Sequence, residues 1–407
     1  MSANRVSTSE VLKAFFALGL RSFGGPVAHL GYFREEFVLR RRWLDERTFV
    51  ELVALCQFLP GPASSQVAFS LGLMRAGYWG GLAAWIGFTL PSALALVLFA
   101  MGVHRLMGPL GSALLHGLKL VAVPVVAQAL LGMARALTPD RKRLGIAAIA
   151  ALLMFLGRGY FAQLAALALG AGLGVKLCRD VSDSPAVSNL LRIPRRVGVA
   201  SLSVFLLLLI VFLFLPVLGS GNGVAVFAAF YRSGALVFGG GHVVLPLLRE
   251  AFVSPGWVSD DAFLAGYGAA QAIPGPLFSF AAYLGYVVNA WPRGPLGAVI
   301  GLIGIFLPGI LILLGTLPFW SSMRSQVSTQ AAMRGINAAV VGMLGAALYD
   351  PICKTSIGGP WDLAIVVVGI GLLTIWRVPT LLIVALTPLA AILAAAHPLA
   401  LLRRLLD

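Results

Sequence analysis

Two short motifs recur in the chain and place broken backbone inside apolar sequence. Pro60-Gly61-Pro62 follows Gln57-Phe58-Leu59, and Pro274-Gly275-Pro276 follows Gln271-Ala272-Ile273. A proline within a helix removes a rung of the hydrogen-bond ladder and bares backbone polar groups. In a bilayer such breaks persist only where protein or a wet cavity supplies partners. If Pro62 opens a new helix, the next residues, Ala63-Ser64-Ser65-Gln66, offer unpaired N–H groups. The hydroxyls of Ser64 and Ser65 lie at the same positive helix end, which suits an anion. The second copy offers Leu277, Phe278 and Ser279, one hydroxyl in place of two. Gln57 and Gln271 stand three residues before each motif. Their amides are either anion donors or structural partners for the broken backbone.

A second repeated motif precedes each of these: Phe23-Gly24-Gly25-Pro26 and Phe238-Gly239-Gly240-Gly241. Its glycines let backbone approach a ligand or another helix, and close helix packing is the competing use. Ionisable groups in apolar segments are expensive and commonly functional. Lys119, inside Leu114–Leu131 and matched by Asn337, is the clearest, with Arg21 and Arg232 just before the glycine motifs. Each either balances an anion's charge or snorkels to the interface. The candidates for proton coupling are Glu35 and Glu250, at matched positions, then Glu51, His29 and His242. For the carboxylates, pairing with a neighbouring arginine is the plainer reading. Cys56, Cys178 and Cys353 are scattered without metal-ligand spacing, and the five histidines form no HExxH motif. No metal, no cofactor and no enzyme activity are expected.

These residues must be positioned by membrane helices. Only 11% of the 407 residues are charged and 59% are hydrophobic, against about 25% charged in soluble domains. Apolar runs near the ~20 residues that span a bilayer recur at Gly80–Gly102, Ser112–Met133, Val197–Leu218, Gly297–Leu317 and Thr380–Ala396. The expected fold is an all-α, polytopic, multi-pass membrane protein. The net charge of +15 gathers in clusters between apolar runs, as in cytoplasmic loops. Membrane lipid, rather than nucleic acid, is the partner this implies. The first apolar stretch, Val11–Leu20, ends at Arg21 without a small-residue cleavage site, so it reads as mature protein rather than a signal peptide.

The two motif pairs belong to an internal repeat. Phe33-Arg34-Glu35-Glu36-Phe37-Val38 and Trp43 match Leu248-Arg249-Glu250-Ala251-Phe252-Val253 and Trp257; Pro91 matches Pro308, and Gly117 matches Gly335. Residues 1–178 and 221–407 are therefore homologous halves, joined by a linker and connecting helix at 179–220. The loop after the first glycine motif carries Arg34, Arg40, Arg41, Arg42 and Arg47, while its counterpart carries only Arg249 beside Glu250, Asp260 and Asp261. Positive charge marks the cytoplasmic side, so an inverted-repeat arrangement is expected, with substrate between the halves. If Phe49–Gly72 crossed the membrane, Arg135–Arg143 would fall outside. Re-entrant or broken helices at both Pro-Gly-Pro motifs are the better fit.

The pattern FGGP…FREEF…W…QFLPGP, followed by FGGGH…LREAFV…W…QAIPGP, resembles the two-domain chromate ion transporters over nearly the whole chain. That resemblance implies duplicated halves of opposite orientation and export of chromate across the bacterial inner membrane, which confers resistance. It implies functional roles for Phe23, Gly24, Gly25, Pro26, Gln57, Pro60, Gly61 and Pro62, and for Phe238, Gly239, Gly240, Gln271, Pro274, Gly275 and Pro276. Gly241 stands where the first half has Pro26, so the halves need not contribute equally. Chromate is a sulfate-like dianion, and a negative interior favours its exit by ~2.3 kcal/mol per charge per 100 mV. Alternating access driven by potential, with protons as a second coupling partner, is the expected mechanism. Sulfate or another anion is the rival substrate, and a homodimer is the protein partner considered.

Overall fold

The computed structural model describes residues 6–23, 25–103, 109–157, 160–179, 193–214, 222–238 and 243–396, and all regular structure among them is helical. The first half runs α1 (Thr8–Arg21), α2 (Gly25–Phe33), α3 (Glu46–Phe58), α4 (Ala63–Val103), α5 (Pro109–Leu137), α6 (Arg141–Leu156) and α7 (Tyr160–Leu177). After the connecting helix α8 (Arg195–Phe214) come α9 (Gly223–Ala235), α10 (Val244–Phe252), α11 (Asp260–Ala272), α12 (Phe280–Val287) and α13 (Pro295–Thr316). The short α14 (Trp320–Ser325) precedes α15 (Val327–Ala347), and the short α16 (Lys354–Ser356) precedes α17 (Pro360–Thr374) and α18 (Thr380–Ala396). Five helices among the described residues are long and apolar enough to cross a membrane: 63–102, 113–137, 195–213, 295–319 and 327–356.

The first of these is two limbs. At Ala76 (φ −137°, ψ 24°) and Gly77 (φ +66°, ψ −160°) the chain leaves helical geometry. Limb 63–75 then folds back on limb 78–103, with Gly72 and Gly80 so close that a Cβ on either would meet the other's carbonyl oxygen. Gly285 and Gly297 make the same approach in the second half.

This fold-back settles the course of both Pro-Gly-Pro segments. Arg75, at the end of limb 63–75, donates to the Trp43 carbonyl (3.4 Å) and lies over the Trp43 ring. Trp43 stands just before α3, so α3 and limb 63–75 rise and return to the same end of the molecule, with Pro60-Gly61-Pro62 at the tip. In the second half the Asn289 N–H, just past α12, donates to the Trp257 carbonyl, just before α11 (2.8 Å). Both segments are hairpins whose arms start and finish at one end of the molecule. The Phe-Gly-Gly segment makes a third: Phe15 packs on Phe33 and Phe37, and Arg41 reaches back to Glu10 (3.5 Å).

Matched ion pairs brace the hairpin bases. Arg34 holds Glu46 (2.7 Å), and Arg249 holds Asp260 in a two-pronged pair (2.9 and 3.0 Å). Glu36 belongs to the first half alone, where the second has Ala251. It sits in the π-helical turn Arg34–Arg40, buried, between Arg21 (3.0 Å), Arg40 (3.0 Å) and Arg41 (2.7 Å). Burial alone would raise the Glu36 carboxyl. Hydrogen bonds and charge from Arg41 and Arg40 outweigh it and hold the group below the usual carboxylate range.

The outer helices pass between the halves. α5 of the first half lies against α17 and α18 of the second, and α15 of the second against α6 and α7 of the first. Small residues seat each contact, with Gly117 on Pro388 and Gly335 on Gly170 and Gly174. One pairing is unequal: α11 packs along α5, whereas α3 has no comparable packing on α15.

Candidate functional site

The hairpin tips of one half meet those of the other in a reciprocal exchange. The Gly61 N–H donates to the Val237 carbonyl (2.7 Å), and the Gly275 N–H donates to the Ser22 carbonyl (2.9 Å). Ser22 and Val237 are the residues immediately before Phe23 and Phe238, so each Pro-Gly-Pro tip is tied to the other half's Phe-Gly-Gly tip. Gly61 (φ +115°) and Gly275 (φ +110°) adopt backbone that an L side chain rarely does. The middle residue of each motif is thus fixed by conformation as well as by its bond.

Each tip also rests just past the partner half's helix proline. Gln66 donates from Nε2 to the Pro60 carbonyl (2.9 Å) and to the Gly309 carbonyl (2.9 Å), which follows Pro308. On the other side Ser92, which follows Pro91, donates to the Thr89 carbonyl (2.9 Å). Its only proton is used there, so the Ser279 hydroxyl is the donor in the 2.7 Å contact with Ser92 Oγ.

His29 joins the crossing. It is 1% exposed, and its Nε2 lies 3.1 Å from the Ser22 carbonyl. A carbonyl only accepts, so Nε2 carries the proton and Nδ1 is the acceptor facing the Ser64 hydroxyl at 3.5 Å. The Ser22 carbonyl therefore takes both the His29 ring and the Gly275 amide. Around this knot several buried polar atoms have no partner among the described residues: Ser22 Oγ, Ser65 Oγ, Gln66 Oε1, Thr89 Oγ1 and Gln271 Nε2. Buried polar atoms are almost always bonded, and leaving one unpaired costs about 1–3 kcal/mol. A cluster of them, beside the positive end of α4, suits a polar ligand.

The helix after Pro62 begins at Ala63, so Pro62 is the residue before the first turn rather than in it, and its carbonyl accepts from the Gln66 N–H. Ala63, Ser64 and Ser65 keep first-turn N–H groups with no acceptor within the helix. In the second half a 3₁₀ turn, Leu277–Ser279, takes that place, and the Ser279 N–H is consumed by the Pro276 carbonyl. Gly25 opens α2 at φ +78°, with Pro26 next in that helix, and Phe23 and Phe238 are half-buried. Gly24, Gly239, Gly240 and His242 lie outside the described residues. Pro276 is buried, Pro274 half-buried, and Gln57 exposed on α3 while its counterpart Gln271 is half-buried.

The other charged candidates turn to other partners or to solvent. Lys119 is paired with Asp261 of the second half. That pair stands ten residues along α11 from Gln271, about 15 Å at 1.5 Å per residue. Arg21 is engaged by Glu36, and buried Arg232 donates to the Phe212 carbonyl (3.3 Å). Glu35 is exposed, Glu250 accepts from Ser254, and buried Glu51 accepts from the Trp320 indole (3.1 Å). Sequence reasoning missed Ser22, Thr89 and Ser92, and valued Gln66 only for its backbone. The signal for Ser92 was present, since it follows the matched proline Pro91.

The sequence profile described as Chromate transporter matches residues 9–175 and again 224–395. The chain belongs to the chromate transporter family. Among its relatives, a chromate transport protein of Pseudomonas aeruginosa is 30% identical over 353 residues, covering 85% of this chain and 81% of the relative. A probable chromate transport protein of Synechococcus elongatus is 27% identical, covering 84% of each chain. An uncharacterised transporter of Bacillus subtilis, YwrB, is 32% identical over 162 residues, which is 39% of this chain but 80% of that protein. No solved structure matches. Family and helices together make this chain a multi-pass bacterial membrane protein of two homologous halves, and a transporter by kinship.

Proposed function

We propose that this family member exports chromate, or a tetrahedral dianion like it, by alternating access around the crossing of the hairpin tips. The reciprocal bonds Gly61–Val237 and Gly275–Ser22 carry the reading. They bring four breaks in helical backbone together, two from each half, where membrane transporters place their substrate sites. The anion's donors are the first-turn N–H groups of α4, the hydroxyls of Ser22, Ser64 and Ser65, and Gln271 Nε2. Phe23, Gly25 and Phe238 shape the described parts of the tips that face it.

Inversion of the halves is part of the proposal, and two contacts support it. Lys119 lies in the stretch of α5 nearer the end opposite the first half's hairpin bases, and it meets Asp261 at the base of the second half's hairpin. Trp320, past the far end of α13, meets Glu51 near the base of the first. The arginine-rich first base then faces the cytoplasm. Two negative charges moving outward through 100 mV gain about 4.6 kcal/mol, which drives export.

His29 is the proton-coupling group in this scheme. Protonated, it donates from both nitrogens and releases the Ser64 hydroxyl proton toward the anion. Glu35, Glu250 and Glu51 are engaged or remote. Everted vesicles given an interior-positive potential should accumulate labelled chromate, and excess sulfate should compete. Vesicles that take up none under that potential would end the assignment. His29→Gln should retain potential-driven uptake and lose its dependence on a pH gradient.

A further inference from the structure

The hairpins α3–limb 63–75 and α11–α12 are homologous, yet they do not sit alike. α11 is seated. A Cβ on Gly268 would fall 2.1 Å from the Leu118 carbonyl oxygen of α5, Asp261 pairs with Lys119, and residues 263–270 are buried on every side. The face of α11 that meets α5 carries Asp261, Leu264, Gly268 and Gln271, at 13, 10, 6 and 3 residues before Pro274. Counted back from Pro60, the same positions on α3 are Arg47, Val50, Ala54 and Gln57. Their spacing of three and four residues puts them on one helix face. In α3 that face is bare: Val50 is 57% exposed, and Arg47, Ala54 and Gln57 are exposed. Its homologous seat is on α15, where Ile336 and Asn337 follow Gly335 as Leu118 and Lys119 follow Gly117. α3 makes no comparable packing there, and the buried Asn337 Oδ1 has no partner among the described residues.

We infer that one entrance to the crossing is sealed here and the homologous one is open, with Lys119 and Asp261 as the latch of the sealed side. Transport exchanges the two seatings: α11 lifts from α5 as α3 settles on α15, and Arg47 then donates to Asn337 Oδ1. Gln57 and Gln271 trade exposure in the same movement. The reading rests on the alternating-access proposal above and adds to it the two gates and the state observed. It removes Lys119 from the substrate's ligands and makes it a positioning residue. It also explains an inequality between the gates. The sealed side has an ion pair, the other only an arginine facing an amide, so the resting protein waits open on the α3 side. Asp261 is largely exposed, and an ion pair with one partner in solvent is weak enough to open.

The test uses the full chain in vesicles, with Cys56, Cys178 and Cys353 replaced by alanine. Lys119→Cys with Asp261→Cys should be bridged by a short bis-methanethiosulfonate, a reducible linker suited to a pair whose backbones stand farther apart than a direct disulfide spans, and leave Gln57→Cys open to an impermeant maleimide. Arg47→Cys with Asn337→Cys should cross-link poorly at rest; once closed, it should shield Gln57→Cys and expose Gln271→Cys. Either bridge should stop transport, and reductant should restore it. Both bridges forming together in one molecule, or Gln57→Cys labelling equally in both locked forms, would overturn the inference. If the cysteine variants do not fold, charge reversal decides: Lys119→Asp should lose transport and the double exchange with Asp261→Lys should recover it, and no recovery counts against the latch. The labelling needs no substrate, so a failed chromate assay with the expected labelling would discard the substrate and keep the gates.

Discussion

The two Pro-Gly-Pro hairpins share a motif, a positive-φ glycine, a return to their starting end and a bond to the other half's glycine tip. They differ in what holds them. The first is stapled by the two-carbonyl reach of Gln66, opens into a regular helix and leaves one face of α3 uncovered. The second has a single serine pair at its tip, opens through a 3₁₀ turn and is covered all round. Duplication preserved the backbone device while the side chains around it diverged. The first hairpin keeps more of its donors free, so it is the half better suited to hold an anion.

Substitution at the two glycines should have the largest effect and strike both hairpins alike. A side chain at such φ costs ~1–3 kcal/mol. At Gly61 the new Cβ also falls 3.0 Å from the Gly309 Cα, and at Gly275 it falls 2.8 Å from the Ser92 hydroxyl and 3.0 Å from the Ser92 Cβ. Gly61→Ala and Gly275→Ala should each lower vesicle uptake about tenfold or more, at ~1.4 kcal/mol per decade. A loss at one glycine alone would show that the shared backbone device serves only one half. Next comes Gln66→Leu, which strips two buried carbonyls of their donor. Interhelical hydrogen bonds in membranes average ~0.6 kcal/mol each, so a melting experiment should read a loss near 1 kcal/mol. Ser279→Ala, with one bond, should cost about half of that, and a reversed order would show that the staples are not what distinguishes the tips.

The smallest effect belongs to Glu36→Gln, which takes from Arg21, Arg40 and Arg41 the carboxylate they share; the second half has Ala251 there and nothing to lose. A carboxylate whose folded pKa is depressed stabilises the fold above its ordinary pKa, and that contribution fades as pH falls through the lower folded value. Wild type should therefore melt higher than Glu36→Gln at neutral pH. The gap should close at pH values below the usual carboxylate range of about 4. A constant gap would mean that packing, not charge, makes the difference.

Much of the scaffold was legible in the sequence. Apolar runs announced four of the five long helices but not 327–356, and Thr380–Ala396 proved a shorter one; the repeat announced the halves, and charge bookkeeping pointed to segments that turn back, as those held by Arg75 on Trp43 and Asn289 on Trp257 do. The site was legible only in part. Pro60-Gly61-Pro62 and its copy were visible as breaks, but not what filled them, because Gly61 meets Val237 and Gln66 meets Gly309 across most of the chain. Lys119 looked unpaired because its partner Asp261 belongs to the other half. The reversal at Ala76–Gly77 hid inside one apolar run, where a single glycine is too weak a signal among 47. Contacts made between duplicated units carry no local periodicity, so pattern reading finds the parts and misses their exchange.

That exchange reaches the outermost helices too, since α6 and α7 wrap α15 while α17 and α18 wrap α5. Cut between its halves, the protein would not yield two self-sufficient pieces: each would carry a sleeve with nothing inside it and a long rod with nothing around it. In a chain holding a single copy of this architecture, the same packing would call for a second chain, each lending its sleeve and borrowing one in return.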